Sequence, residues 1–393
     1  MKDETKIVTA GRDPEANFGI VNPPVYHAST VLAPTYAAWK EIREKSTKGE
    51  RTIAYGRRGT PTQFGLEDLV NAVEGGDRCA LFPSGLAAIT TAMMAYVSQG
   101  DHILLVDSAY APARRVCTEL LPRYGVETTW YDPLISPADL AALIRPNTKI
   151  VYVESPGSQT FEVMDIPALA EVAHKAGCIV MMDNTWASPL YFKPFEHGVD
   201  VSIQAGTKYI VGHSDVMLGT VTTTNEHFPA LRKMSGDLGM ATGPDDVYLA
   251  QRGMRTLHVR LPQHMTNGIR LAEWFKGRPE VERVMHPALP DDPGHAIWKR
   301  DFLGASGLFG VQLKKAPEDA TAAFIDSLEL FGLGASWGGY ESLVLVTNPH
   351  GVRTATKWPY EGQTLRFHAG LEATEDQIDD LTRAFDAFNR AAG

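Results

Sequence analysis

Short apolar runs alternate with amphipathic segments through the middle of the chain. The apolar runs predict strands at residues 79–82, 102–106, 126–131, 150–154, 179–183 and 201–203. Between them, periodic patterns predict helices at residues 86–96, 110–121, 136–144 and 166–175. Apolar strands separated by helices are typical of a buried, mostly parallel sheet with helices on both faces. The pattern therefore predicts an α/β fold for residues 59–254.

The pattern changes after residue 254. A long helical pattern at residues 263–275 is followed by predicted strands at 281–285, 308–313, 343–346 and 364–367, with helices at 317–328 and 374–391. This order fits antiparallel strands with helices on one face better than a second parallel sheet. We therefore place a domain boundary near residue 254 and predict a smaller α+β C-terminal domain at residues 255–393.

Residues 1–58 show little periodicity but carry several aromatic side chains. Pro and Gly interrupt this segment, yet it contains Tyr26, Tyr36, Trp39 and Tyr55. Disordered tails are poor in such residues, because aromatic side chains favour a packed environment. We therefore predict an N-terminal arm, residues 1–58, that packs on a neighbouring subunit.

Composition and charge narrow the classes of function. The chain has 393 residues and a formal net charge of -10, without a compensating Lys/Arg cluster, which argues against nucleic-acid binding. Its three cysteines are scattered and its histidines lack metal-site spacing, so we predict buried free thiols and no metal site. The N-terminus lacks an apolar signal core, and no apolar run approaches a bilayer span. We expect a soluble, cytoplasmic protein that binds no membrane.

Lys208 is the first candidate for chemistry. It follows the predicted strand at 201–203 and the turn Ala205-Gly206-Thr207, and its neighbours are apolar or small. Burial in such surroundings favours the neutral amine, which is the form that attacks a carbonyl group to give a Schiff base. A surface lysine that merely follows a strand is the ordinary alternative, and the stretch by itself does not exclude it.

Other polar residues share this position in the predicted fold. Ser84, Tyr110, Glu154, Asp183 and Lys208 lie at or just beyond the carboxyl ends of predicted strands. Ligands bind at this edge of a mostly parallel sheet. Five candidates at one edge predict a site. If the ligand is pyridoxal phosphate (PLP), the site needs a lysine, a buried carboxylate, a phosphate site and an aromatic stack.

Two of these demands concern the reactive part of the cofactor. Lys208 would bind the aldehyde. Asp183, after an apolar run, would keep the pyridine nitrogen protonated so that the ring withdraws electrons. Asn184 and Thr185 offer hydrogen bonds that could hold the Asp183 carboxylate.

The other two demands concern the phosphate and the ring face. Ser84-Gly85-Leu86 begins a predicted helix, whose free N–H groups would bind the phosphate, and the Thr207 hydroxyl could add a bond. Many such strand–helix junctions bind nothing, so this element is weak by itself. Tyr110 would stack on the ring.

The order of these elements, phosphate turn, aromatic residue, Asp and Lys, is that of fold-type I PLP enzymes. The stretch GTKYIVGHSDVMLGT around Lys208 resembles the lysine signature of the Cys/Met-metabolism family, and the similarity covers nearly the whole chain. The resemblance implies that Tyr55 and Arg57 of the arm reach the cofactor phosphate of the adjacent subunit. It also implies that Arg366, in the segment LRFHAGLE, binds the substrate α-carboxylate. We accordingly expect a homo-oligomer, a tetramer built as a dimer of dimers whose arms share active sites.

Several positions resemble the cystathionine β-lyase branch of that family. Ala205 replaces the serine that usually stands two residues before the Thr-Lys pair, and Trp337 stands where other members carry smaller residues. Tyr110-Ala111-Pro112 lacks the cysteine that methionine γ-lyases place nearby, and Ser158 replaces an asparagine of the γ-type enzymes. We expect Ser336 and Trp337 to contact the substrate.

The implied reaction is a carbon–sulfur β-elimination in methionine biosynthesis. L-cystathionine, an amino-acid thioether, would be cleaved to homocysteine, pyruvate and ammonia. Lys208 would take the α-proton and return a proton to the leaving sulfur, while Asp183 keeps the ring cationic. Tyr55 or Tyr110 would accept the proton of the substrate ammonium group.

Four alternatives stay open. A broader cysteine-S-conjugate β-lyase, or γ-lyase or γ-synthase chemistry, fits the same scaffold. A regulatory protein on this scaffold should have lost a chemical residue or gained a DNA-binding extension, and neither is seen. A nicotinamide oxidoreductase would need a GxGxxG turn after a strand, which the chain lacks.

Overall fold

Two β-sheets organise the chain in the computed structural model, which describes residues 1–393. The first sheet contains β1 (Arg78–Phe82), β2 (His102–Val106), β3 (Glu127–Tyr131), β4 (Thr148–Glu154), β5 (Ile179–Asp183), β6 (Val201–Gln204) and β7 (Gly219–Thr223). The second contains β8 (Val281–Met285), β9 (Leu308–Leu313), β10 (Gly332–Leu333), β11 (Leu343–Thr347) and β12 (Thr364–His368).

Fifteen α-helices accompany these strands. Up to the end of the first sheet they are α1 (Asp3–Thr9), α2 (Tyr36–Thr47), α3 (Pro61–Glu74), α4 (Gly85–Tyr96), α5 (Ala111–Arg115), α6 (Pro137–Leu143), α7 (Ile166–Lys175) and α8 (Ser188–Tyr191). The others are α9 (Phe228–Asp237), α10 (Pro244–Met254), α11 (Leu257–Lys276), α12 (His295–Asp301), α13 (Glu318–Asp326), α14 (Pro349–Val352) and α15 (Thr374–Ala392). The helix predicted at 110–121 is irregular: α5 continues as a π-helical turn, and Pro122, which has no N–H, then lies in a 3-10 turn.

The first sheet has the strand order β1-β7-β6-β5-β4-β2-β3. Strands β2 to β6 pair in parallel, whereas β7 is antiparallel to both of its neighbours. This confirms the predicted mostly parallel sheet in an α/β fold. Strand β7 is not among the predicted strands, because its sequence GTVTT has no apolar run, although Thr220, Thr222 and Thr223 are buried.

Parallel pairing brings the carboxyl ends of β2, β4, β5 and β6 to one edge of the sheet. Glu154, the last residue of β4, is in register with Asp183, the last residue of β5. Tyr110 follows β2, and Lys208 follows β6. The candidate residues that the sequence placed at strand ends therefore belong to one edge.

The second sheet has the order β10-β11-β12-β9-β8 and packs a core of its own. Its pairs are antiparallel, as predicted, except that the two-residue strand β10 runs parallel to β11. Phe275, Phe309 and Phe367 pack against one another in this core. Helix α10 ends at Met254 and α11 begins at Leu257, and the domain boundary near residue 254 stays a prediction.

The N-terminal arm contains helices that the loop signals did not predict. Helix α2 has no buried residue, and Phe18 and Leu32 are 97% and 86% exposed. Large apolar side chains exposed in this way favour a partner to pack against, and the predicted contact with a neighbouring subunit stays a prediction. Elsewhere, all three cysteines are buried and free, as predicted. No helix of the chain has the length and apolarity that a membrane crossing requires.

Candidate active site

A loop from the second half of the chain covers the Lys208 amine. This covering loop, residues 335–339, brings Ser336 and Trp337 to the edge of the first sheet. Lys208 Nζ donates a hydrogen bond to Ser336 Oγ at 2.7 Å and lies 5.5 Å from the centre of the Trp337 ring. Burial, assisted by the Arg366 charge, lowers the pKa of Lys208 from 10.5 to about 8, against the opposing effect of Asp183. A substantial fraction of the amine is therefore neutral near physiological pH, as a nucleophile or base requires.

Asp183 presents an unused carboxylate oxygen at the same edge. Thr185 donates to its Oδ1 from the backbone N–H at 3.0 Å and from the hydroxyl at 2.5 Å, and no protein group donates to Oδ2. Burial raises the pKa of Asp183, while Thr185 and Lys208 oppose the rise. Such a buried carboxylate gains from a cationic partner, for example a protonated ring nitrogen.

Asn184 does not hold the Asp183 carboxylate, so that prediction is wrong. Its side-chain amide donates to the carbonyl oxygens of Ser188 and Phe192 at 3.4 and 3.3 Å. Side chains of successive extended residues point in opposite directions, which turns Asn184 away from its neighbour. Thr185, two residues after Asp183, is on the correct side.

The start of α4 packs against the turn that precedes Lys208. Ser84 caps the helix, because its Oγ accepts a hydrogen bond from Ala87 N at 3.1 Å. A Cβ added at Gly85 would lie 2.7 Å from Ala205 Cβ, so this contact needs small residues on both sides. The N–H groups of Gly85 and Leu86 have no partner within the helix and are the natural donors for an anion.

Glu154 contributes to the site in a way that the sequence did not assign. Its Oε2 accepts a hydrogen bond from Tyr110 N at 2.8 Å and so holds the start of α5. Burial, together with the Asp183 charge, raises the pKa of Glu154. The sequence indicated this residue only by its position: Glu154 ends one predicted strand, and Asp183 ends the predicted strand that follows along the chain. Tyr110 remains 43% exposed at the edge, and partial burial of its phenol, together with the charges of Asp183 and Glu154, raises the phenol pKa.

Arg366, on β12, holds the covering loop and remains available to an anion. Its Nη2 donates to Ala335 O at 3.0 Å and Ser336 O at 3.1 Å. Burial lowers its pKa to about 10, so the guanidinium stays cationic at neutral pH. Guanidinium has five N–H donors, which leaves others for a carboxylate. The structure thus joins Lys208 and Arg366 through Ser336.

Two of the three remaining expected phosphate ligands make other side-chain contacts in this chain. Arg57 Nη1 donates to Gly236 O at 2.8 Å, and neither Arg57 nor Tyr55 forms a hydrogen bond with the residues at the sheet edge. The Thr207 hydroxyl donates to Leu218 O and accepts from Leu218 N. The phosphate-binding roles of Tyr55, Arg57 and Thr207 stay predictions.

This fold and this site are those of a PLP-dependent enzyme. The family model described as Cys/Met metabolism PLP-dependent enzyme matches residues 4–386, and the chain belongs to this family. It is 44% identical to the cystathionine beta-lyase of Salmonella typhimurium, over 97% of this chain and 98% of that protein. It is 43% identical to the cystathionine beta-lyase MetC of Escherichia coli, over 98% of each. A structure of cystathionine gamma-lyase from Lactobacillus plantarum, complexed with L-serine, superposes with a TM-score of 0.89 and 29% identity, covering 99% of this chain and 100% of that one.

The residues at the sheet edge fit PLP. The Oδ2 atom of Asp183 has no protein donor, and the Lys208 amine has a lowered pKa. The start of α4 offers free N–H groups where any side chain at Gly85 would collide with Ala205. A cationic ring nitrogen, an aldehyde and a phosphate would each meet a suitable protein group.

We predict that cofactor uptake by protein freed of PLP accelerates as pH rises through about 8. A lysine with a pKa of about 8 is roughly one-quarter neutral at about pH 7.5, whereas one with the ordinary value of 10.5 is roughly one part in a thousand neutral. The rate of appearance of the bound-cofactor absorption band should therefore level off above about pH 8. Nα-acetyl-lysine, which keeps a free side-chain amine, is mixed with PLP under the same conditions and controls for titration of the cofactor. A protein rate that follows the Nα-acetyl-lysine rate up to about pH 10 would contradict the lowered pKa.

Proposed function

We propose that this enzyme is a carbon–sulfur β-lyase that cleaves L-cystathionine to homocysteine, pyruvate and ammonia. The observation that carries the proposal is the similarity, over nearly the full length of both chains, to two proteins named cystathionine beta-lyase, at 44% and 43% identity. The position of Trp337 supports it, because this β-lyase-like residue lies over the Lys208 amine.

Lys208 is the proposed base. When bound, PLP supplies an aldehyde that joins to amines and a ring that withdraws electrons from the substrate α-carbon. Lys208 would remove the α-proton and later return a proton to the departing sulfur. Its pKa of about 8 suits both transfers, because an amine near neutrality can accept and donate. Ser336 Oγ, which accepts a hydrogen bond from the amine, would keep Nζ in place between the two steps.

The remaining roles at the sheet edge concern the cofactor. We assign the ring nitrogen to Asp183, the phosphate to Ser84, Gly85 and Leu86 with Thr207, and the ring face to Tyr110. The raised pKa of Tyr110 favours a neutral phenol, which suits stacking on the ring. Tyr55 or Tyr110 is the proposed acceptor of the substrate ammonium proton.

Arg366 and the covering loop are the proposed substrate site. Arg366 would bind the α-carboxylate with the N–H groups that the loop carbonyls leave free. Ser336 and Trp337 would contact the substrate beside the amine. Holding the carboxylate on one side of Lys208 directs the α-proton toward Nζ, which is the geometric part of the rate enhancement.

Product analysis on L-cystathionine is the experiment that tests the function. We expect pyruvate, homocysteine and ammonia in equal amounts. Lys208→Ala should keep the fold and lose turnover, because no other amine at the edge replaces the base. Formation of 2-oxobutyrate and cysteine would instead assign γ-elimination, and equally fast cleavage of cystine would favour a broader cysteine-S-conjugate lyase. Full turnover by Lys208→Ala would contradict the proposed base.

The arm is proposed to complete the active site of a second copy. Tyr36 and Trp39 stack on each other on a helix with no buried residue, and Tyr55 is 46% exposed. Tyr55 and Arg57 of one copy would bind the phosphate at the sheet edge of the other. We propose a tetramer formed from two such dimers. The buried free cysteines fit a reducing compartment, so we retain a cytoplasmic location as part of the proposal.

Mixing two inactive variants tests the shared site. Arg57→Ala would damage the phosphate site of the neighbouring copy. Lys208→Ala would damage the active site of the copy that carries the substitution. A mixed dimer would contain one site with both defects and one intact site. We therefore expect joint refolding of the two variants to restore activity that neither has alone. If mass spectrometry detects mixed dimers in an equal mixture of the two variants and no activity is recovered, the shared site is contradicted.

A further inference from the structure

A buried imidazole contacts the end of the covering loop. His368 on β12 is 1% exposed. Its Nε2 lies 3.2 Å from Gly338 N and 3.1 Å from Gly339 O. One ring nitrogen therefore contacts the backbone of two successive loop residues. The sequence shows this histidine only as part of the segment LRFHAGLE and gives it no role.

The loop has no space in which to shift toward Lys208. Gly338 has φ 86, a left-handed conformation that favours glycine. A Cβ at this position would lie 2.9 Å from both Cα and the carbonyl carbon of Lys208. The two backbones are thus in direct contact. Any movement of the loop must change the distance from Ser336 and Trp337 to the Lys208 amine.

Arg366 and His368 divide the support of the loop between them. Alternate residues of a strand point to the same face, so both side chains of β12 reach the loop. Arg366 binds the carbonyl oxygens of Ala335 and Ser336, at the start of the loop. His368 contacts Gly338 and Gly339, at its end. Trp337 lies between the two supports.

A second histidine and a tyrosine fix the position of the His368 ring. The ring centres of His264 and His368 are 5.1 Å apart, and His264 Nδ1 lies 2.8 Å from Ala369 O. Tyr209, the residue after Lys208, packs 5.3 Å from His264, 5.9 Å from His368 and 5.4 Å from Trp337, centre to centre. The ring of His368 therefore has little freedom to rotate.

Both histidines are neutral under ordinary conditions. Burial lowers the pKa of His264 to about 4. Burial also lowers the pKa of His368, and the charges of Arg366 and Lys208 lower it further. A second cation next to Lys208 would be repelled. His368 thus acts as a neutral hydrogen-bonding group of fixed shape rather than as an acid or base.

We infer that His368, supported by His264, is a positioning residue that sets the covering loop, and with it Ser336 and Trp337, against the Lys208 amine. The inference rests on the proposed function for its kinetic consequences. His368 itself forms no hydrogen bond with the Lys208 amine or with the Arg366 guanidinium. Its effect on the reaction passes through the loop backbone.

Two neutral substitutions, which differ in side-chain length, test this role in the holoenzyme. In His368→Gln the terminal amide can occupy the place of Nε2, whereas in His368→Asn it is too short to reach Gly338 and Gly339. His102→Gln is the matched control, because His102 is equally buried but lies at the amino end of β2, with its nitrogens 2.9 Å from the hydroxyls of Thr148 and Thr129. For each protein we would measure kcat and KM on L-cystathionine, the pH titration of the bound-cofactor absorption band and the thermal unfolding temperature.

We expect His368→Asn to lower kcat by about tenfold to a hundredfold, since small misplacement of reacting groups can cost about a hundredfold. Its absorption band should titrate at a different pH, because the surroundings of the Lys208 nitrogen change. His368→Gln should recover most of both properties, and His102→Gln should alter only thermal stability. Equal kcat and equal pH titration in His368→Asn and the unaltered enzyme would overturn the inference, as would equal defects in the Gln and Asn variants. If the unaltered enzyme does not cleave cystathionine, the proposed function fails, and the absorption titration still decides the role of His368.

Discussion

The site depends on the contact between Lys208 and the covering loop. A lysine amine in water is almost fully protonated at neutral pH and cannot attack a carbonyl group or remove a proton. Here the loop from the second half of the chain lies against the amine, and burial lowers the pKa of the amine to about 8. Ser336 retains one directed hydrogen bond to the amine, so burial does not leave it without a partner. The chemistry therefore needs both halves of the chain, although the lysine belongs to one.

The first sheet places two carboxyl groups at fixed positions near the Lys208 amine. Because β4 and β5 are parallel and in register, Glu154 and Asp183 end side by side. Their burial raises both pKa values, and each carboxyl is used differently: Glu154 holds Tyr110, whereas Asp183 keeps one oxygen free. Two cations, Lys208 and Arg366, lie at the same edge. This arrangement suits a ligand that carries a protonated ring nitrogen at one end and anionic groups at others.

The parallel strands and the order of the candidate residues were predictable from sequence, because the buried strands are apolar runs and each candidate lies at or shortly after the end of one of them. Strand β7 was not, since buried threonines between two strands resemble a loop when only hydrophobicity is considered. Helix α2 of the arm was missed because it buries no residue in this chain and shows no apolar stripe, whereas α1 was missed because it is short and buries only Ile7. The direction of Asn184 required the backbone geometry after β5.

The covering loop marks a different limit. Ser336 and Trp337 were expected near the substrate, but the hydrogen bond to Lys208 joins residues 128 positions apart in the chain. No local sequence pattern indicates that two residues so far apart in the chain will meet in space. The same holds for His368. Its contacts with the covering loop, which precedes β11 in the chain, depend on the pairing of β12 with β11. Where a site is closed by long-range packing, the sequence indicates the chemical groups, and the structure is needed to say which group controls which.

The most direct test of the central claim is to locate the cofactor attachment. Borohydride treatment of the yellow holoenzyme makes the bond between PLP and its amine permanent, and peptide mass spectrometry then identifies the modified residue. The account predicts one phosphopyridoxyl group per chain, on Lys208. Attachment to another lysine, with Lys208 unmodified, would contradict it.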